Sequence, residues 1–195
     1  MSGFVFLLAT WPGDDRMSLR DMMKIAMGVL MLAAMPVGLY AQDVPNPVVT
    51  SANEIVVRQS GYMIAAAEQM PAEKYGYRPT PEQWTYGKVV AHVVQANFGV
   101  CGMLSGDGPG KGPAVTDATP KEQLVVALKQ SFEACQKAME GLKDSSLGAT
   151  ITYFGGAKKP RARALLELTD DLEDHYSQMA MYLRLNGMLP PSAKK

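Results

Sequence analysis

Four stretches of this chain carry an apolar residue at every third or fourth position, each closed off by proline or glycine. Only amphipathic helices satisfy that spacing. The first runs from about Val49 to Met70, with Ile55, Val56, Tyr62, Met63 and Ala66 on one side, and Pro71 ends it. A rigid connection through Lys74, Tyr75, Arg78 and Pro79 follows. The second is expected to start after Thr80 as N-cap, with Pro81 at the first helical position and Glu82 in the first turn. It carries Trp84, Val89, Val90, His92, Val93, Val94, Ala96 and Val100, and stops at Gly106. The third starts at Thr119-Pro120 and lines up Leu124, Leu128, Phe132, Cys135, Met139 and Leu142. The fourth, from about Pro160 to Asn186, sets Leu168, Leu172, His175, Met179 and Tyr182 in one stripe before Gly187 and Pro190-Pro191 end it. Between the third and fourth, Ser145 to Lys159 has no period, and Ala149 to Phe154 is a candidate for a brief extended segment. Abundant methionine and alanine with few aromatics suit helices better than strands. The expected fold class is all-α, a four-helix bundle.

The connections refine this. Asp107 to Asp117 is rich in glycine and proline and has to be loop. About 14 residues of loop can span a whole helix, so helices two and three can run parallel through a long crossover instead of forming a hairpin. The two cysteines offer a check. Cys101 and Cys135 each lie in the second half of their helix, and only parallel helices bring them to a similar height, within disulfide reach. Two separate buried thiols are the alternative.

The amino-terminal segment bears on that choice. Arg20 and Lys24 precede an almost uninterrupted apolar run from Ile25 to Leu39, and Leu39-Tyr40-Ala41 offers a small residue at a cut. Residues 1–41 read as an export signal, 42–48 as a linker and 49–195 as the bundle. Residues 1–16 resemble no part of such a signal, which places the start of translation at Met17, Met22 or Met23. A transmembrane anchor is the competing reading, but the run falls short of roughly 20 apolar residues and Pro36 interrupts it. The expectation is therefore a periplasmic or secreted protein with no stable membrane span after cleavage. In an oxidising compartment Cys101 and Cys135 are disulfide candidates first. A formal net charge of zero gives no footprint for nucleic acid.

Both histidines, His92 and His175, fall inside helices. Asp171 lies one turn before His175 on nearly the same face. A carboxylate and an imidazole four apart can hold one divalent cation from a single helix, and His92 on a facing helix would supply a third ligand, leaving positions for water or substrate. The bland alternative is an Asp171–His175 ion pair with His92 as a satisfied core histidine. The acidic run Asp170, Asp171, Glu173, Asp174 also reads as a solvated face with one member turned inward.

Arg78-Pro79-Thr80-Pro81, then Trp84, Gly87 and Val90-Ala91-His92, resembles the opening signature of the DinB-like superfamily. His175-Tyr176-Ser177-Gln178, then Tyr182 through Gly187 and Pro190-Pro191, resembles its closing signature. The resemblance covers essentially the whole chain after the signal. It implies a bundle of up-down-down-up topology, with a divalent metal, zinc or nickel, held by one histidine of the second helix and two of the last, spaced four apart. His92 and His175 match the first and final ligands. Asp171 stands where the family has its middle histidine, giving a set similar to two-histidine-one-carboxylate sites.

Three functions follow from these readings. The chain is a metal-binding protein of unassigned activity, or a metal-dependent hydrolase or thiol S-transferase in which the metal lowers the pKa of water or a thiol. Otherwise it is a non-catalytic bundle with a vestigial site, acting through dimer or partner contacts. Family resemblance and a methionine-rich composition suit a homodimer. The identity of a small-molecule substrate is not readable from the chain, and among nearby groups Glu173, Asp174 and Tyr176 no general base stands out.

Overall fold

A computed structural model describes residues 43–194 together with Arg20; the expected export segment, Arg20 apart, lies outside the described residues. The chain divides at Asp43 into two units, and the bundle makes up the second, Val44–Lys195. It consists of α1 (Pro47–Gln69), α2 (Tyr86–Ser105), α3 (Lys121–Met139) and α4 (Arg161–Leu185), with a small antiparallel hairpin of β1 (Thr150–Thr152) and β2 (Lys158–Pro160) before α4. Among the described residues, no helix is long and apolar enough to cross a membrane.

The stripes form the core. Val56, Met63 and Ala66 of α1 and Leu168, Leu172, Met179 and Tyr182 of α4 are buried, together with Val89, Val90, Val93, Val94 and Val100 of α2 and Leu124, Leu128 and Phe132 of α3. Each end has a local cause. The last turn of α4 closes with Gly187 at φ 74°, the Met188 amide donating to the Leu183 carbonyl and the Gly187 amide to that of Arg184. That pair of bonds is the glycine-dependent termination expected of a Gly two residues past the last helical position.

Two helix starts differ from the sequence expectation. α2 begins at Tyr86, not Pro81, with the Thr85 hydroxyl accepting from the Lys88 amide. The reason is long-range. The amides of Tyr86 and Gly87 donate to the carbonyls of Tyr77 and Tyr75, tying 75–85 back on itself and leaving Thr80 to close a turn with Gln83. Trp84 thus precedes the helix. At α3 the helix begins at Lys121, and the Thr119 hydroxyl accepts from the Thr116 amide within the loop.

The start of α1 is held from far away. Its first residue is Pro47, which has no amide to satisfy. The next two amides, of Val48 and Val49, both donate to the carboxylate of Asp144, while the Asp144 amide donates to the Asn46 side chain. A negative group at a helix N-terminus both fills the orphan donors and opposes the helix dipole.

Contacts fix the directions. Trp84 meets Tyr182 and His92 meets Asp171, so α2 and α4 are antiparallel. Arg58 pairs with Glu173 and Gln69 with Leu189, so α1 and α4 are parallel. Asn97 bonds Ser131, and four residues further on in each helix Cys101 joins Cys135 in a disulfide with Cα atoms 5.0 Å apart. Helices α2 and α3 are therefore parallel, and the bundle is up-down-down-up. The crossover between them is packed against α2: the Gly110 amide donates to the Gly99 carbonyl. A Cβ on Gly102 would come within 2.5 Å of the Gly110 nitrogen, so these two backbones approach too closely for any side chain.

Candidate metal centre

Helices α2 and α4 bring His92, Asp171 and His175 together. The antiparallel crossing puts His92 opposite the Asp171–His175 turn, and one ligand atom from each lies within 4.8 Å of the other two. Asp171 Oδ1 sits between the imidazoles, 3.4 Å from His92 Nε2 and 3.3 Å from His175 Nε2. His175 is 7% exposed; His92 and Asp171 are half-buried, so the cluster sits at the wall of the bundle.

The electrostatics follow from that geometry. Burial pushes the Asp171 carboxyl up, but hydrogen bonds and charge from His175 and His92 outweigh it and bring its pKa to about 2. For His175, burial lowers the pKa, and the Asp171 carboxylate, with Asp174 behind it, raises it on balance.

The donor set fits a divalent cation. Nitrogen and oxygen ligands at about 2.0–2.1 Å from a tetrahedral ion lie about 3.3–3.4 Å from one another, which is the separation Asp171 Oδ1 keeps from both imidazoles. The same distances are long for hydrogen bonds, which favour 2.7–3.2 Å. Two buried atoms of the cluster, Asp171 Oδ2 and His175 Nδ1, have no hydrogen-bond partner, and a buried polar atom left so is costly.

The surroundings include a residue whose role spacing alone does not reveal. The Trp84 ring lies 5.0 Å from that of His92 and 6.0 Å from that of His175, centroid to centroid, nearly parallel to the latter. Its carbonyl accepts from the Tyr182 hydroxyl at 2.9 Å, which anchors it although it lies outside any helix. Of the nearby acids, Glu173 turns away to Arg58. Tyr176 stacks on Tyr62 and its hydroxyl accepts from the Ser192 amide. Only Asp174 stays near, 3.9 Å from His175 Nδ1. Gly87 packs closely where α2 begins: a Cβ there would come within 3.2 Å of the Asp117 carbonyl and 3.3 Å of that of Tyr75.

Comparison with known proteins agrees with this fold. The sequence pattern of the DinB superfamily matches residues 57–179. Among solved structures, a DinB-like protein from Bacillus cereus is 19% identical with a TM-score of 0.59, over 72% of this chain and 93% of its own. A DinB-like protein from Bacillus subtilis is 19% identical with a TM-score of 0.57, over 73% and 99%. A mycothiol-dependent maleylpyruvate isomerase shares the fold at 11% identity and a TM-score of 0.56, over 67% of this chain but only 60% of its own length. No curated protein matches the sequence.

Proposed function

The chain belongs to the DinB superfamily, and from that premise we propose that it is an exported protein binding one divalent cation, zinc or nickel, through His92, Asp171 and His175. The observation that carries the reading is the placement of one carboxylate oxygen 3.4 and 3.3 Å from two imidazole nitrogens. Two neutral imidazoles and a carboxylate suit zinc and nickel alike and leave positions open to an outside ligand. When bound, such an ion supplies a Lewis acid that lowers the pKa of a water or thiol. The chain's own residues do the rest. Helix α4 fixes Asp171 and His175 one turn apart, α2 supplies His92, and Trp84 lies beside both rings.

Turnover is the second reading: a metal-dependent hydrolase or thiol S-transferase. It is favoured by the shared fold of the mycothiol-dependent maleylpyruvate isomerase. Export weighs against the thiol branch, because low-molecular-weight thiols are kept reduced in the cytosol.

Trp84 makes the test direct. The two tryptophans are Trp11 and Trp84, and Trp11 falls in the segment that export would remove, so in protein beginning at Gln42 Trp84 is the sole tryptophan. Chelator-treated protein titrated with cobalt or nickel is expected to quench at one equivalent, with metal analysis giving the same stoichiometry. Asp171→Ala and His175→Ala should each abolish tight binding. A wild-type protein that holds no stoichiometric ion leaves the bundle with a vestigial site. Full retention by Asp171→Ala would mean that the ligand set is wrong.

A further inference from the structure

Next to the cluster, a solvent-open pocket of about 390 Å³ has His175 in its wall. Its charge is one-sided. Glu82, from the turn before α2, and Asp174, from α4, both line it, and no lysine or arginine does. Three acids elsewhere on the bundle are paired: Glu68 with Lys129, Glu167 with Arg163 and Glu173 with Arg58. Among the described residues, neither Glu82 nor Asp174 forms a salt bridge with a lysine or arginine. Lys88, whose ammonium lies 5.7 Å from the Trp84 ring centroid, is not part of the lining.

The remaining walls are apolar. Trp84 and Met181 are 42% and 46% exposed. The pocket is also built instead of incidental. Gln178 holds the Asp174 carboxylate through a 3.0 Å hydrogen bond, Tyr182 holds Trp84, and the buried His175 Nδ1, 3.9 Å from Asp174, has no hydrogen-bond partner.

We propose that this pocket is the binding site for the molecule the cluster acts on or senses, and that it takes a small compound with an apolar body and a positive charge, an amine or guanidine. The inference rests on the metal-site reading for what that molecule meets at the far end, but its charge preference comes from the pocket alone. An organic anion entering here would meet two carboxylates with no lysine or arginine in the lining to offset them. A cation gains their attraction and the face or edge of an exposed indole, while Trp84 and Met181 cover its apolar part.

Calorimetry of the full chain, metal-free and cobalt-loaded, with phenethylamine and with 3-phenylpropionate tests this, since the two probes share a body and differ in charge. The amine is expected to bind and the carboxylate not, with binding weakened by salt. Glu82→Gln and Asp174→Asn should each weaken the amine between about twofold and fivefold. Equal binding of the two probes, tighter binding of the carboxylate, binding of neither, or an unchanged affinity in the double variant overturns the proposal. An amine preference in protein that fails to load cobalt removes the metal reading and leaves the pocket. Cobalt loading without amine binding does the reverse.

Discussion

Breaking the Cys101–Cys135 bond has a calculable effect. The disulfide closes a loop between residues 34 apart in sequence, and the loop-closure entropy it removes from the unfolded chain corresponds to about 4 kcal/mol at 25 °C. Both cysteines are buried at 1% exposure or less, so a pair of reduced thiols must also find room for two sulfurs no longer bonded, which adds to the cost. Domains of this size are stable by about 5–15 kcal/mol, so the crosslink is a large part of the margin. With a urea dependence of about 2 kcal/mol per molar, the midpoint of Cys101→Ala/Cys135→Ala protein should fall by about 2 M. Burial also predicts that dithiothreitol reduces the native protein only slowly and the urea-unfolded protein at once. Urea melts of oxidised, reduced and double-alanine protein, with thiol titration before and after reduction, read all of this. Two free thiols in freshly purified protein, or a midpoint unmoved by reduction, would refute the argument together with its account of why α2 and α3 are held parallel.

Two other outcomes follow from the same structure. In chelator-treated protein, the Asp171 carboxylate, lowered to about 2, contributes about 2 kcal/mol that is full above pH 4 and disappears as pH falls towards 2. His175, raised by the same interaction, contributes below about pH 6.5 and loses that contribution as pH rises through its folded value; thermal melts should therefore peak between about pH 4 and 6.5, and Asp171→Asn should flatten both limbs. Asp144→Ala leaves the Val48 and Val49 amides without their acceptor and should cost about 1–2 kcal/mol, seen as a lower urea midpoint and faster amide exchange confined to the first turn of α1.

Much of this was legible because it is periodic. The buried stripe Leu168, Leu172, His175, Met179 and Tyr182 of α4 can be read directly from a spacing of three and four, as can the shared face of Asp171 and His175. The parallel pair was legible from two cysteines and a loop length. What escaped is set by contacts distant in sequence. Thr80 and Thr85 are equal as caps in local chemistry; bonds from Tyr86 to Tyr77 and Gly87 to Tyr75 choose the second. Trp84 looks like one more apolar helix residue until Tyr182, 98 positions away, takes its carbonyl. A glycine-rich crossover announces a loop, but only the close approach of Gly110 to Gly102 shows that the loop is packed down on α2.

The arrangement of α1 bears on the order in which the chain can fold. Its main packing partners are α3 and α4, and its first turn is completed by Asp144, so the segment that follows it directly offers it little to pack against. A helix of this length alone in water is marginal. A chain emerging amino end first therefore carries α1 without α3 until residues beyond 120 have appeared and without α4 until residues beyond 160, and contacts so far apart in sequence form slowly. If the chain is exported as proposed, that delay would keep the leading part of the domain pliable during passage through a membrane pore, and its packing would be complete only when the last helix arrives.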